Sequence, residues 1–127
     1  MPNIIAGKYK RTKIEVPSKL VRPTSALKRE AIFSILESYS MQYSINIYKD
    51  KSIIDIFAGS GLIGLEAVSR GIKKSYFIED DESVFKILKS NCDKICKLNE
   101  YEIIFKKAEI GIAVSYTHLT LPTILLV

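Results

Sequence analysis

The segment Lys51-Ser52-Ile53-Ile54-Asp55-Ile56-Phe57-Ala58-Gly59-Ser60-Gly61-Leu62-Ile63-Gly64-Leu65-Glu66-Ala67 constrains the chain more than any other, because it runs from a buried strand through a glycine turn into a helix. The run Ile53 to Ala58 is short, β-branched and aromatic with a single acid, which suits a parallel strand covered on both faces. Gly59 and Gly61 permit backbone angles and a close ligand approach that a Cβ would obstruct. Gly64 lets the following helix sit tightly on the strand. The free N–H groups at the helix start then point at whatever occupies the turn.

Two cofactor classes compete for such a turn. Gly59-x-Gly61-x-x-Gly64 has the spacing of the dinucleotide fingerprint, and Glu79 follows about 20 residues later, after the apolar run Tyr76-Phe77-Ile78. Asp55 separates the two. A pyrophosphate brings two negative charges to the turn and an acid beside it is unfavourable, whereas S-adenosylmethionine brings an ammonium and a sulfonium. Glu79 suits either cofactor, since both carry a ribose.

The chain has 127 residues, the length of one domain, and its 47% hydrophobic and 26% charged residues exclude a disordered chain. Net charge is +5, and its distribution says more than its size. Lys8, Lys10, Arg11 and Lys13 surround Tyr9, no acid precedes Glu15, and Lys19, Arg22, Lys28 and Arg29 follow. This basic arm is an electrostatic footprint for phosphate backbones, with an ordinary solvated basic face as the alternative. The start Met1 to Gly7 lacks a charged region before a long apolar run, so no signal peptide is expected. Cys92 and Cys96 stand four apart in a helical pattern and suit core packing in a reducing cytoplasm better than a metal site; His118 alone makes none.

The elements follow in order. Ile4-Ile5-Ala6 and Lys13 to Val16 predict a short hairpin ended by Pro17, with residues 1–21 forming an appended arm. Arg22-Pro23-Thr24-Ser25 introduces a helix capped by Thr24 or Ser25, with Leu27, Ala31, Ile32, Ile35, Leu36 and Tyr39 as its packing stripe and Lys28, Arg29 and Glu30 beside or opposite it. Gly71 stops the helix after the glycine turn, and Ser75 to Glu79 predicts a second strand, parallel to the first. Asp80, Asp81 and Glu82 open the next helix, with Val84, Phe85, Leu88, Cys92, Ile95 and Cys96 inward, and Tyr101 to Lys106 predicts a third strand. The expected fold class is α/β, a doubly wound Rossmann-like sheet preceded by a small β-hairpin.

The motifs Ile4-Ile5-Ala6-Gly7, Arg22-Pro23-Thr24, Arg29-Glu30-x-Ile32-Phe33, Asp55-Ile56-Phe57-Ala58-Gly59-Ser60-Gly61-x-x-Gly64-Leu65-Glu66-Ala67-x-Ser69-Arg70-Gly71 and Ile78-Glu79 occur in that order. Together they resemble the RsmD-type 16S rRNA (guanine-N2)-methyltransferases over the first 108 residues. The resemblance implies a class I S-adenosylmethionine-dependent methyltransferase, with residues 22–109 as the cofactor-binding half and ribosomal RNA or the small ribosomal subunit as partner. It implies that Asp55, Phe57, Ala58, Gly59, Ser60 and Gly61 bind the cofactor, Asp55 and Gly59 to Gly61 around its methionine part, and that Glu79 takes the ribose. It also implies that Arg22, Thr24 and Arg29 belong to a helix that closes over the cofactor and faces RNA, to which the charge pattern adds Lys8, Lys10, Arg11 and Lys13.

The chain departs from the family pattern at four places. Ala26 and Leu27 stand where an acid and an arginine are usual. Lys107 precedes Ala108 where the family places Asp or Asn to accept from the adenine amine, which Lys cannot do. Prolines occur only at 2, 17, 23 and 122, so the Asn/Asp-Pro-Pro-aromatic loop that holds guanine N2 is missing. From Ile110 to Val127 there is no Lys, Arg, Asp or Glu. That tail reads as a non-native extension in which Ile112 to Tyr116 is strand-like, and it is too short and polar for a membrane anchor. The expectation is therefore a methyltransferase whose chain as given is inactive; a nicotinamide-dependent oxidoreductase fragment and a non-catalytic RNA-binding module are the alternatives.

Overall fold

A computed structural model describes residues 2–17, 25–118 and 123–126; Arg22 and Thr24 lie outside them. Helix α1 (Ala26–Gln42) starts at Ser25, whose hydroxyl accepts a hydrogen bond from the Lys28 amide. The apolar run then forms strand β1 (Ser52–Asp55), and the Gly61 N-cap opens helix α2 (Leu62–Arg70), which Gly71 ends at φ +121°. Strand β2 (Lys74–Glu79) leads to helix α3 (Glu82–Ile95), capped by the Asp81 carboxylate on the Val84 amide. A short turn of 3-10 helix, Leu98–Glu100, precedes strand β3 (Tyr101–Phe105). Helix α4 (Ala108–His118) and strand β4 (Thr123–Leu126) follow.

All pairings are parallel, and the sheet order is β3-β2-β1-β4. The chain walks outward from β1 to β3 with α2 and α3 on one face. It then crosses back to the far side of β1 with α4 on the other face, so the winding reverses between β1 and β4. This is the doubly wound, Rossmann-like arrangement that the glycine segment leads one to expect. Phe33, Ile53, Ala67, Val68 and Ile72 pack under α1 and α2, while Ile4, Ile14, Leu65, Phe77, Leu88 and Cys92 join the amino-terminal arm to α2 and α3. On the opposite face Ile54, Ile56, Tyr76, Ile78 and Ile104 carry Ala108, Ile112 and Val114 of α4. A Cβ on Gly64 would lie 2.2 Å from the Phe77 ring, and one on Gly111 would lie 2.6 Å from Ile78, so each glycine sets how closely its helix meets β2.

Three expectations change. Ile112 to Tyr116 lies inside α4, and residues 123–126 pair with β1 instead, continuing the strand-helix alternation across position 109. Ala108 and Ile112, four residues apart, both pack on the sheet, a helical period that a short apolar run does not distinguish from a strand. The packing stripe of α1 is also rotated from the one expected. Arg29 and Phe33 are buried, whereas Leu27 and Ile35 are 79% and 69% exposed and Tyr39 is exposed as well. Apolar residues occur on both sides of this helix, and the buried acid Glu66 selects the side that carries Arg29.

The third change concerns the arm, which is an integral part of the fold. Only Asn3 and Lys13 form a ladder bridge, but the Ile4 and Ile14 amides donate to Thr12 and Pro2 carbonyls, and both isoleucines are fully buried. Gly7, at φ +88°, lies so close to α2 that a Cβ would fall 1.9 Å from the Ser69 carbonyl oxygen.

Candidate functional site

The carboxyl ends of β1, β2 and β3 bring the expected cofactor residues together. Gly59 (φ +56°) and Gly61 (φ +92°) both occupy the left-handed region, as a turn between strand and helix requires. The Gly59 amide donates to Glu79 Oε1 at 2.9 Å, and Glu79 Oε2 accepts from the Asp80 and Asp81 amides at 3.2 and 3.0 Å. Glu79 therefore clasps the glycine turn to the end of β2. A carboxylate accepts about four hydrogen bonds, so Oε1 retains a lone pair for a ribose hydroxyl.

Beneath this clasp lies Asp55, the last residue of β1, 7% exposed. Burial raises its pKa to about 7; the Gly64 amide, which it accepts, pulls the value down, and the Glu79 charge pushes it up again. A buried carboxyl with so little compensation lowers its energy when a cation arrives. Ala58 is buried and its amide donates to the Ile78 carbonyl, extending the β1–β2 pairing beyond Asp55. Ser60 is buried too, and its carbonyl accepts from Asn91 Nδ2 of α3. Phe57 is 71% exposed at the mouth of a cleft of about 30 Å³, which Ile56, Ile78, Glu79, Asp80, Lys106 and Ala108 also line.

The two turn glycines differ in role. A Cβ on Gly59 would meet nothing within 4 Å, so this residue borders open space where a ligand can approach. A Cβ on Gly61 would lie 2.8 Å from Leu88 and 3.1 Å from Leu65, and the Gly61 amide already donates to Ala58. Gly61 thus serves the contact of the turn with α3, and the sequence pattern alone did not separate these functions.

The residues expected to face RNA divide as well. Lys10, Arg11 and Lys13 are exposed on the arm, while Lys8 forms an ion pair with Glu100. Arg29 is not on an RNA-facing surface. Its side chain is 1% exposed, bonded to the Asn3 carbonyl at 3.0 Å and paired with Glu66 Oε1 at 3.4 Å, because a guanidinium buried this deeply must meet an anion.

Sequence reasoning missed the organising role of Glu66. Fully buried, it accepts from the Ile5 and Ala6 amides at 2.9 and 3.1 Å and from Arg70 Nε at 2.8 Å, besides pairing with Arg29. One acid among Leu62, Ile63, Leu65, Ala67 and Val68, four residues before an arginine, was the available signal. No group of acids, cysteines and histidines able to hold a metal occurs among the described residues, and both thiols are pushed upward by burial, Cys96 to about 12.

The sequence matches the family described as conserved hypothetical protein 95 over residues 2–117. The chain belongs to this family, the RsmD family. Ribosomal RNA small subunit methyltransferase D of Haemophilus influenzae is 37% identical over 103 residues, 80% of this chain and 49% of that protein. The protein of the same name from Buchnera aphidicola (subspecies Acyrthosiphon pisum) is 36% identical over 103 residues, 79% of this chain and 47% of that one. The chain spans about half the length of these curated relatives. Among solved structures, yhhF of Escherichia coli, described as a methyltransferase, superposes with a TM-score of 0.71 at 30% identity over 87% of this chain and 55% of that one. The Thermus thermophilus protein TTHA0928 gives 0.73 at 24% identity, covering 93% and 63%, and supports the fold. This chain's glycine turn, the acid that ends β2 and the buried acid that ends β1 all lie within the matched residues.

Proposed function

We propose that this chain is the S-adenosylmethionine-binding half of a methyltransferase that acts on a guanine N2 of small-subunit ribosomal RNA. The observation that carries the reading is the clasp of Glu79 on the Gly59 amide above the buried Asp55, at the carboxyl ends of β1 and β2. The residues present fit the cofactor. Glu79 offers an acceptor to the ribose, Asp55 offers a negative charge to the ammonium, and Gly59 leaves room for the backbone to approach. Asp80, beside Phe57 and Lys106, is the nearby acceptor open to an adenine amine in place of Lys107, whose side chain can only donate.

Bound there, S-adenosylmethionine supplies an electrophilic methyl group. The described residues bind and orient it; they do not hold guanine. A guanine amine is a poor nucleophile and must be gripped by acceptors and aligned with the methyl group. The Asn/Asp-Pro-Pro-aromatic sequence that does so in the family is not in these 127 residues. We therefore assign cofactor binding, with no methyl transfer by this chain alone. Binding of RNA falls to the exposed cations Lys10, Arg11 and Lys13.

Calorimetric titration with S-adenosylhomocysteine and with NAD tests the reading. The account expects the first to bind and the second to fail, because Asp55 would face a pyrophosphate. Tighter binding of NAD would transfer the site to the oxidoreductase class.

A further inference from the structure

The amino-terminal ends of the same strands carry a second concavity, a groove of about 580 Å³. Lys49 precedes β1, Lys73 precedes β2 and Lys97 precedes β3, and all three line it. Gly59, Glu79 and Lys106 follow those strands at their other ends, so the four residues of β1, about 13 Å of strand, separate the groove from the cofactor site.

Charge in the groove is unbalanced. Arg70 is held by Glu66 and Glu37, and Lys8 by Glu100. Lys49, Lys73 and Lys97 are exposed and form no ion pair among the described residues, and Asp50 is the remaining acid on the wall. Lys8 stands at the rim, where the groove meets the arm that carries Lys10, Arg11 and Lys13. The groove and the arm thus share Lys8.

The occupant follows from the type of donor. A small anion is best held by backbone amides at a helix start, but the helix end here is the carboxyl end of α2 at Arg70 and Gly71, whose partial negative charge opposes it. Three separate, hydrated ammonium groups instead suit a chain of phosphates in which each meets one cation. We propose that this groove is a second RNA-backbone contact, gripping the substrate at the end of the sheet opposite the cofactor. Resting on the RNA reading above, it makes the substrate class a structured RNA long enough to pass from the cofactor end, along the arm, to the amino-terminal end of the sheet.

The experiment uses the full chain, a structured fragment of small-subunit ribosomal RNA, and fluorescence anisotropy across a salt series. Four proteins are compared: the parent, Lys49→Ala/Lys73→Ala/Lys97→Ala, the same three positions changed to Arg, and Lys10→Ala/Arg11→Ala/Lys13→Ala. S-adenosylhomocysteine titrations verify that each is folded. Each lost phosphate contact lowers the salt slope by about 0.7 to 0.9, so the Ala groove variant loses about 2 to 3 in slope and about tenfold or more in affinity, while the Arg variant keeps both. Lysine acylation read by mass spectrometry shows RNA protecting Lys49, Lys73 and Lys97 and not Lys86. An unchanged slope in the Ala groove variant, with a reduced slope in the arm variant, overturns the groove and leaves the RNA reading standing. Absence of salt-dependent RNA binding by the parent overturns both. Equal protection of the three lysines by millimolar inorganic phosphate identifies a small-anion site and overturns the assignment to RNA.

Discussion

A side chain added at Gly59 would enter open space, whereas one added at Gly61 would strike Leu88 and Leu65, and the two substitutions therefore separate binding from folding. Gly59→Asn, with a residue that tolerates the left-handed region, is expected to keep the melting temperature within a few degrees and to weaken S-adenosylhomocysteine by about tenfold or more, because its side chain occupies the approach path. Gly61→Val adds overpacking to a left-handed β-branched residue and is expected to cost about 3 kcal/mol or more in denaturant unfolding. Asp55 makes a pH-dependent prediction. Its pKa rises from 3.8 in the unfolded chain to about 7 in the fold, so the folded state favours the protonated form. Its contribution to stability is full below pH 4 and is lost as the pH rises through 7. Asp55→Asn removes that loss and is expected to raise stability at pH 8 by about 4 kcal/mol, with the gain fading toward pH 4. The same variant weakens S-adenosylhomocysteine at pH 8, where the parent carboxylate faces the ammonium; equal affinities at that pH would remove Asp55 from the site.

At the scale of elements, α2 holds the arm and α1 in one arrangement through Glu66 and Ser69. Ser69 adds to the Glu66 contacts by accepting from the Tyr9 amide and donating to the Ala6 carbonyl. Glu66→Gln keeps the volume but leaves Arg29 buried without its anion, and a loss of about 3 to 5 kcal/mol is expected. Hydrogen exchange would show the Ile5 and Ala6 amides opening first. This helix also shows why part of the fold was legible and part was not. Ile53 to Ala58, the glycines and Ser75 to Glu79 announce a βαβ unit from local pattern alone, and the sheet confirms its parallel register. The side of α1 that packs depends on Glu66, 37 residues from Arg29, and no periodicity within α1 carries that information. The same holds for Gly61, whose spacing fits a ligand contact equally well until Leu88 of α3 is placed against it.

For the whole molecule, these 127 residues carry the proposed cofactor side of the site. The proposed cofactor side was readable because strand, turn and acid fall within one βαβ unit; the groove at the opposite end was not, since Lys49, Lys73 and Lys97 are brought together by three parallel strands. With no guanine-holding loop, methyl transfer to ribosomal RNA is expected to stay at background beside the full-length Haemophilus influenzae relative, and turnover comparable to that protein would refute the division of labour. The account's central claim is that the cofactor lies across Gly59, Glu79 and Asp55. Amide chemical shifts of the isotopically labelled chain, followed during titration with S-adenosylhomocysteine, test it most directly. The account predicts saturable shifts at Gly59, Ser60, Asp80, Asp81 and Lys106, with Lys49, Lys73 and Lys97 at the far end of the strands unmoved. Shifts confined to that far end, or no saturable shift at the glycine turn, would contradict it.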